Sequence, residues 1–417
     1  MIFRLAALFL AVLPWCGRAK AQESAVTEPR GIYTVKIPGA PSAGTTARTY
    51  LGVQLLPDRR FVGLVQSVNG ATLRLQYFGD HHLVADPARL CYLHVLTGDG
   101  RGFVTDITEY RTTELVCAEN LTPWVTPGTQ ILIRPHPLLS DLLGTANTYG
   151  LGEGTDADSA DNVVIWDPDT QQERVFYFHS TRARWEEKGI VEDAGGATLR
   201  YPHGFYIVRR TPGTLRIKIS GEIGANAILL PARPGACVFS LPVNLTGSLD
   251  AMVRATGDHA VVSGPNARKA DLLTFEETST GMQRGPFYHL SRGKFSGWRE
   301  VGVNDSTAAI QPMDFLSTLI LRRESGNGRV LVEGSLEPPA TPRPPLPPDP
   351  EPGEVPLKGE FAMPPTPPVG VSFLIETSTD LQTWTTYASP VQENGKLVFD
   401  LPSGQGRAFY RLRVTIF

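Results

Sequence analysis

The chain has little of what most active sites are built from. Charged side chains make up only 19% of its 417 residues, with 8 histidines and 4 cysteines. Past the first twenty or so residues there is no apolar run of about 18, so no helix is expected to cross a membrane. There is no basic excess to neutralise phosphates, which argues against a nucleic-acid partner. No Gly-x-Ser-x-Gly, Walker loop, dinucleotide fingerprint or His-Glu-x-x-His occurs, and the best-marked enzyme classes go with them.

Glycine and proline are plentiful instead, at 41 and 35 residues. That profile suits a turn-rich β protein, and the expected fold class is all-β and multi-domain. The chain opens with Arg4, an apolar run from Leu5 to Trp15, and Ala19-Lys20-Ala21. This has the form of a signal peptide, residues 1–21, cut after Ala21. Its removal would take Arg4, Arg18 and Lys20 with it, making the formal charge of −3 more negative.

Residues 28–135 read as a barrel-like β domain. "FVGLVQSVNGATLRLQYF" alternates on both sides of Asn69-Gly70, the dipeptide that best accepts a tight hairpin turn. Export would leave Cys91, Cys117 and Cys237, an odd number. Cys91 and Cys117 flank three short strand-like runs, so they are open to a disulfide or to a role as small buried apolar residues.

The next two segments, 136–230 and 231–337, look like copies of one β unit. "ADNVVIWDPDTQQERVFYFHSTRAR" (160–184) aligns without gaps on "ADLLTFEETSTGMQRGPFYHLSRGK" (270–294), matching His179 with His289. Three extra residues, 295–297, then precede Trp298, which matches Trp185. Arg209 and Arg210 fall on Arg322 and Arg323. Two such units are expected to pack by a pseudo-two-fold relation, each covering the apolar face of the other. Residues 338–356 are proline-rich and read as a semi-rigid linker. Residues 357–417 read as a small C-terminal β-sandwich.

Several of these phrases together resemble a known family. "TEPRGIYTVKIPG", "FVGLVQSVNG" and the hairpins "VFYFHSTRARWEEKG" and "PFYHLSRGKFSGWREVG" are similar to secreted proteins that occur as paralogous sets in verrucomicrobial genomes. The likeness spans about residues 27–336. The tail from "STDLQTW" to "AFYRLR" resembles a C-terminal module common in secreted proteins of the same bacteria. The resemblance implies export and β structure, and it carries no known reaction.

His179, Trp185, His289 and Trp298 are the candidate ligand-binding residues. Glu187 and Glu300 are candidate acid/base groups with nothing to pair them. Asp156, Asp158, Asp161 and Asn162 have the look of a calcium loop without its turn glycine. Next to these stands a plainer reading, in which His and Trp pack across a hairpin. The expectation is a non-enzymatic structural or adhesive protein with no catalytic residues, metal or cofactor. It would be exported to the cell surface or exterior, with the periplasm also open, and bind an unknown polymer or protein. The alternative is a carbohydrate-binding protein using Trp185, Trp298 or Trp384 as stacking platforms, with a hydrolase third.

Overall fold

The computed structural model describes residues 24–26, 29–76, 89–111, 114–167, 170–224, 227–241, 248–277, 283–291, 296–303, 316–334, 358–362, 371–378, 383–393, 396–401 and 407–416. The expected signal peptide and the expected proline-rich linker lie outside these residues, as does His81-His82, a pair that reads from sequence as part of a surface loop.

The fold is all-β, built from several antiparallel sheets and one closed barrel. The chain starts with β1 (Ser24–Val26), β2 (Arg30–Ile37), β3 (Ala47–Leu51) and the short β4 (Leu55–Leu56). Six strands then close the barrel: β5 (Phe61–Asn69), β6 (Thr72–Leu75), β7 (Cys91–Val95), β8 (Val104–Tyr110), β9 (Glu114–Cys117) and β10 (Gln130–Pro135). A one-turn helix α1 (Leu139–Leu143) leads into β11 (Asn162–Asp167), β12 (Gln172–His179), β13 (Arg184–Glu187), β14 (Phe205–Arg209) and β15 (Leu215–Ile223). The ribbon strands β16 (Ala227–Ala232) and β17 (Gly235–Ser240) follow, then α2 (Leu249–Met252). After α2 come β18 (Leu272–Glu277), β19 (Gln283–Leu290), β20 (Gly297–Glu300), β21 (Leu316–Arg323) and β22 (Gly328–Glu333). The last strands are β23 (Lys358–Ala362), β24 (Val371–Ser378), β25 (Thr385–Ala388), β26 (Val391–Glu393), β27 (Lys396–Asp400) and β28 (Arg407–Ile416).

Two five-stranded sheets run in the same order. One is β13-β12-β11-β14-β3 and the other is β20-β19-β18-β21-β17. Beside them, β15 pairs with β2, and β22 pairs with β16 in the same sense. Each unit therefore starts earlier than its most legible sequence: β2 and β3 hold the positions of β16 and β17. The chain runs from the end of β17 at Ser240 to the start of α2 at Leu249. Between β3 and α1 it carries β4 and the whole barrel, which is an insertion into the first unit.

Each five-stranded sheet has an apolar face that it cannot bury alone, and the two faces share one core. Phe176, Phe178, Trp185, Phe205 and Ile207 join Phe239, Phe275, Phe287, Trp298, Leu319 and Leu321 in a single cluster. Side-chain bonds cross between the sheets. Trp166 Nε1 donates to the Ala236 carbonyl at 2.7 Å. Gln171 pairs with Ala236 through both amide atoms, at 3.1 and 3.2 Å. Gly235, at φ +95°, leaves room for that amide, since a Cβ there would lie 2.1 Å from Gln171 Oε1.

The barrel interior is filled by Val65, Leu73, Leu93, Val95, Phe103, Leu115, Ile131 and Ile133. The β16–β22 ribbon adds Ala227, Leu229 and Leu331 to that core, while Ile228, Leu230, Val330 and Val332 on its other face enter the main core. Strands β7 and β10 are buried on both faces, one inside the barrel and one against the body. Cys91 and Cys117 are buried free thiols in this core. Strand β8 separates β7 from β9, and Ile107 stands opposite Cys117. Two strand spacings are about 9.6 Å, beyond the reach of a disulfide. The plainer alternative for these residues is the one observed, and burial pushes the Cys117 thiol up to about 12.

The C-terminal strands have a core of their own, Phe361, Ile375, Leu397, Phe399, Tyr410 and Leu412. They do not stand off at the end of a spacer. β28 lies between β24 and β2, and β1 pairs with its far end. Phe409 of β28 reaches the main core across Gly31, where a Cβ would come within 2.8 Å of the ring. Phe409→Ala should lower the unfolding free energy by about 3–5 kcal/mol, read from urea titration of the full chain.

Candidate functional site

The hairpins β12–β13 and β19–β20 carry the four candidate residues, and all four lie inside the protein. Trp185 is 1% exposed, Trp298 3%, His179 5% and His289 8%. Their registers also differ from the gapless alignment. Trp185 faces Phe178 across the first hairpin, whereas Trp298 faces His289 across the second. The loop contacts agree, because Gly154 bridges to His179 while the matching Gly264 bridges to Leu290. The slip arises in β19, where Arg284 to Phe287 span one residue more than Phe275 to Leu273 opposite them. Gly285, at φ +102°, sits in this bulge. One of the three extra residues of the second unit is thus spent in the bulge, and the other two fall between Leu290 and Gly297.

His179 and His289 are therefore not counterparts. The counterpart of His289 is Phe178, and the shared feature is a ring set edge-on to Trp. Phe178 and Trp185 have centroids 5.4 Å apart at 79°, and His289 and Trp298 are 5.5 Å apart at 77°. An edge-to-face aromatic pair across a hairpin is a packing device. One polar ring atom of each of the other three candidates is used locally, whereas the buried Trp298 Nε1 has no hydrogen-bond partner among the described residues. Trp185 Nε1 donates to the Gly144 carbonyl at 2.8 Å. His179 Nδ1 accepts the backbone N–H groups of Thr181 and Arg182, both at 3.2 Å, and so holds the hairpin turn. His289 Nδ1 lies 2.8 Å from Ser263 Oγ, and burial lowers its pKa, making the neutral ring easier to keep.

The carboxylates beside these hairpins are engaged in ion pairs. Glu186, fully buried, takes Arg182 through two bonds of 2.6 Å, Arg184 at 2.9 Å and the Tyr177 hydroxyl at 3.2 Å. The Arg182 bonds first, then those of Arg184 and Tyr177, outweigh burial and hold it at about 2. Glu187 is clamped by Arg174 at 2.6 and 2.9 Å. Glu187 pairs with Phe176 and His179 with Arg184, which places the two candidates on opposite faces of the sheet. The aspartate loop is likewise turned to other uses: Asp156 caps its own turn through Asp158 and Ser159, and Asp158 pairs with Lys188. Among the described residues no group of three His, Cys, Asp or Glu side chains is placed to hold a metal ion. Trp384, the third platform candidate, is half-buried and has the Arg411 guanidinium over its ring at 4.3 Å.

Two further features involve buried carboxylates, one repeated in both units and one that joins them; of these residues only Asp161 stands among the sequence candidates, in the aspartate loop. Asp161 and Asp271 are each 1% exposed and bind a buried arginine. Asp161 takes Arg209 Nε at 2.6 Å and Gly152 N at 2.7 Å. Asp271 takes Arg323 through both oxygens, at 2.9 and 2.5 Å, and Val262 N at 2.8 Å. The partner in the second unit is thus the later arginine of its pair. Strand register explains this, since Asn162 faces Val208 and Leu272 faces Arg322. Burial works to raise Asp161, but the N–H groups of Arg210 and Gly152, the Thr211 hydroxyl and Arg209 together hold it below the ordinary range. These pairs tie each loop to the end of β14 or β21. They are the signal that the shared Asp and Arg of the two sequence copies carry.

The second feature joins the units. Glu276 of β18 accepts the Tyr50 N–H of β3 at 3.1 and 3.2 Å, and burial raises its carboxyl to about 7. Neither feature opens to solvent in a way that would admit a substrate. No family model and no curated protein matches the chain.

Three outcomes follow from this geometry. Asp271→Ala should cost about 3–5 kcal/mol in a urea titration, because Arg323 is left buried without its carboxylate. His289→Phe, which copies Phe178, should stay within about 1.5 kcal/mol of the parent, whereas Trp298→Ala should lose about 3–5 kcal/mol. For Glu276, the folded pKa lies above the unfolded one, so the protonated form stabilises the fold at low pH. That contribution is lost as pH rises from about 4.5 through about 7. Glu276→Gln should remove this part of the pH dependence, giving a gain over the parent at pH 8 of the order of 2–3 kcal/mol and little gain at pH 4.

Proposed function

We propose that the chain is an exported, non-enzymatic structural or adhesive β protein of the bacterial cell surface or exterior. In this reading it is built from a duplicated β unit into which a barrel has been inserted. The observation that supports it is the use made of the reactive side chains. His179, Trp185, His289 and Trp298 are spent on packing and turn closure, and Glu186 and Glu187 on arginine pairs. A hydrolase needs a carboxylate or imidazole poised near working pH and open to substrate, and these six residues offer neither.

The carbohydrate-binding alternative loses its stated platforms, since Trp185 and Trp298 are interior and Trp384 is covered by Arg411. The argument for a surface role also takes a different form from a string of modules on a spacer. β28 returns the C-terminal strands to the N-terminal sheet, so the surfaces are presented on one joined body.

The direct test is the processed protein on a glycan array and against intact envelope fractions, with hydrolysis followed on the same polysaccharides. The reading expects envelope retention without turnover. Sustained, protein-dependent release of sugar or peptide products would contradict it.

A further inference from the structure

Where the barrel wall meets the body, a buried group of polar side chains has more donors than acceptors. Tyr92 of β7 and Arg134 of β10 are cross-strand partners. Their neighbours Leu93 and Ile133 belong to the barrel core, so Tyr92 and Arg134 point outward from it, into the seam. Tyr201, from the loop before β14, stacks on Tyr92 with centroids 5.2 Å apart. Tyr92, Arg134 and Tyr201 are 0%, 2% and 3% exposed.

The surrounding groups are already committed. His136 Nε2 meets Asp106 Oδ1 at 2.9 Å, and its Nδ1 accepts the Tyr201 N–H at 2.9 Å. His94 Nε2 lies 3.2 Å from the Ala227 carbonyl. Arg134 Nη2 donates to Glu222 Oε2 at 2.9 Å. The Tyr92 and Tyr201 hydroxyls and Arg134 Nε and Nη1 have no partner among the described residues. Burying such groups unpaired would cost about 1–3 kcal/mol each, so native interiors rarely leave them so.

The geometry points to a built site for a small, uncharged hydrogen-bond acceptor, an internal water, held by the hydroxyls of Tyr92 and Tyr201 and the guanidinium of Arg134. Guanidinium N–H groups only donate, so the guest must accept. Glu222 already balances the charge of Arg134, which favours a neutral guest over an anion. A water with three such partners is the usual occupant of a polar interior position. It would fasten the inserted barrel to the first unit at a place where neither surface supplies the missing acceptor. This assignment does not depend on the proposed surface role.

The test uses the full processed chain with Tyr92→Phe, Tyr201→Phe and the double variant. Each single change should lower the thermal midpoint by several degrees, and the double variant should fall little further than the larger single, because both hydroxyls hold one guest. A midpoint unchanged or raised by either single change would overturn the assignment, as removal of an idle hydroxyl would do that. The unmutated protein gives an independent reading. A crystal grown in bromide should show a solvent peak within about 3 Å of both hydroxyls and Arg134, without anomalous signal. An anomalous bromide peak there, or no peak, would overturn it.

Discussion

The structure depends on one constraint: neither five-stranded sheet can bury its aromatic face without the other. Phe176, Phe178, Trp185 and Phe205 on one side, and Phe275, Phe287, Trp298 and Leu319 on the other, make one core. Area buried in this way is the main favourable term in folding. The rest of the molecule is arranged around it. The buried Asp161–Arg209 and Asp271–Arg323 pairs hold the loops of each unit. Trp166, Gln171 and Glu276 join one unit to the other. The β16–β22 ribbon serves two cores at once, with one face inside the body and the other closing the barrel.

That arrangement accounts for what the hairpin side chains do. A substitution of Phe178 by His289 at the same station leaves the ring angle almost unchanged, 79° against 77°. What recurs is a flat ring beside Trp. Its chemistry varies, which is the pattern of packing. The inserted barrel follows the same logic. Gly102 accepts Leu229 N–H at 2.8 Å, and Arg329 lies over Phe103 at 4.5 Å while pairing with Glu119, so the insertion is seated on the second unit as well as the first.

The all-β class, the barrel and the hairpins were legible because turn residues and two-residue alternation are local signals. The Asn69-Gly70 turn between β5 and β6 is one such case. The pairing of β2 and β3 with β15 and β14 was not legible, because it is made between strands far apart in sequence. Nor was the docking of β28 on β2, since an edge strand gives no sign of its partner. The match of His179 to His289 illustrates another limit. A bulge moves register by one residue and exchanges the faces of a strand, while a gapless alignment sees only identical letters. The surroundings of the reactive residue types were not legible for a related reason. Burial and the nearest arginine decide what Glu186 or Asp161 does, and both are set by tertiary contacts.

The central claim is that the aromatic hairpins form a shared interior and not an exposed site. Hydroxyl-radical footprinting of the native full chain, read by mass spectrometry, addresses it most directly. Trp185 and Trp298 should be oxidised at least tenfold more slowly than exposed Tyr387 and should become reactive together on unfolding. Oxidation of either tryptophan in the native protein at the rate of Tyr387 would contradict the account.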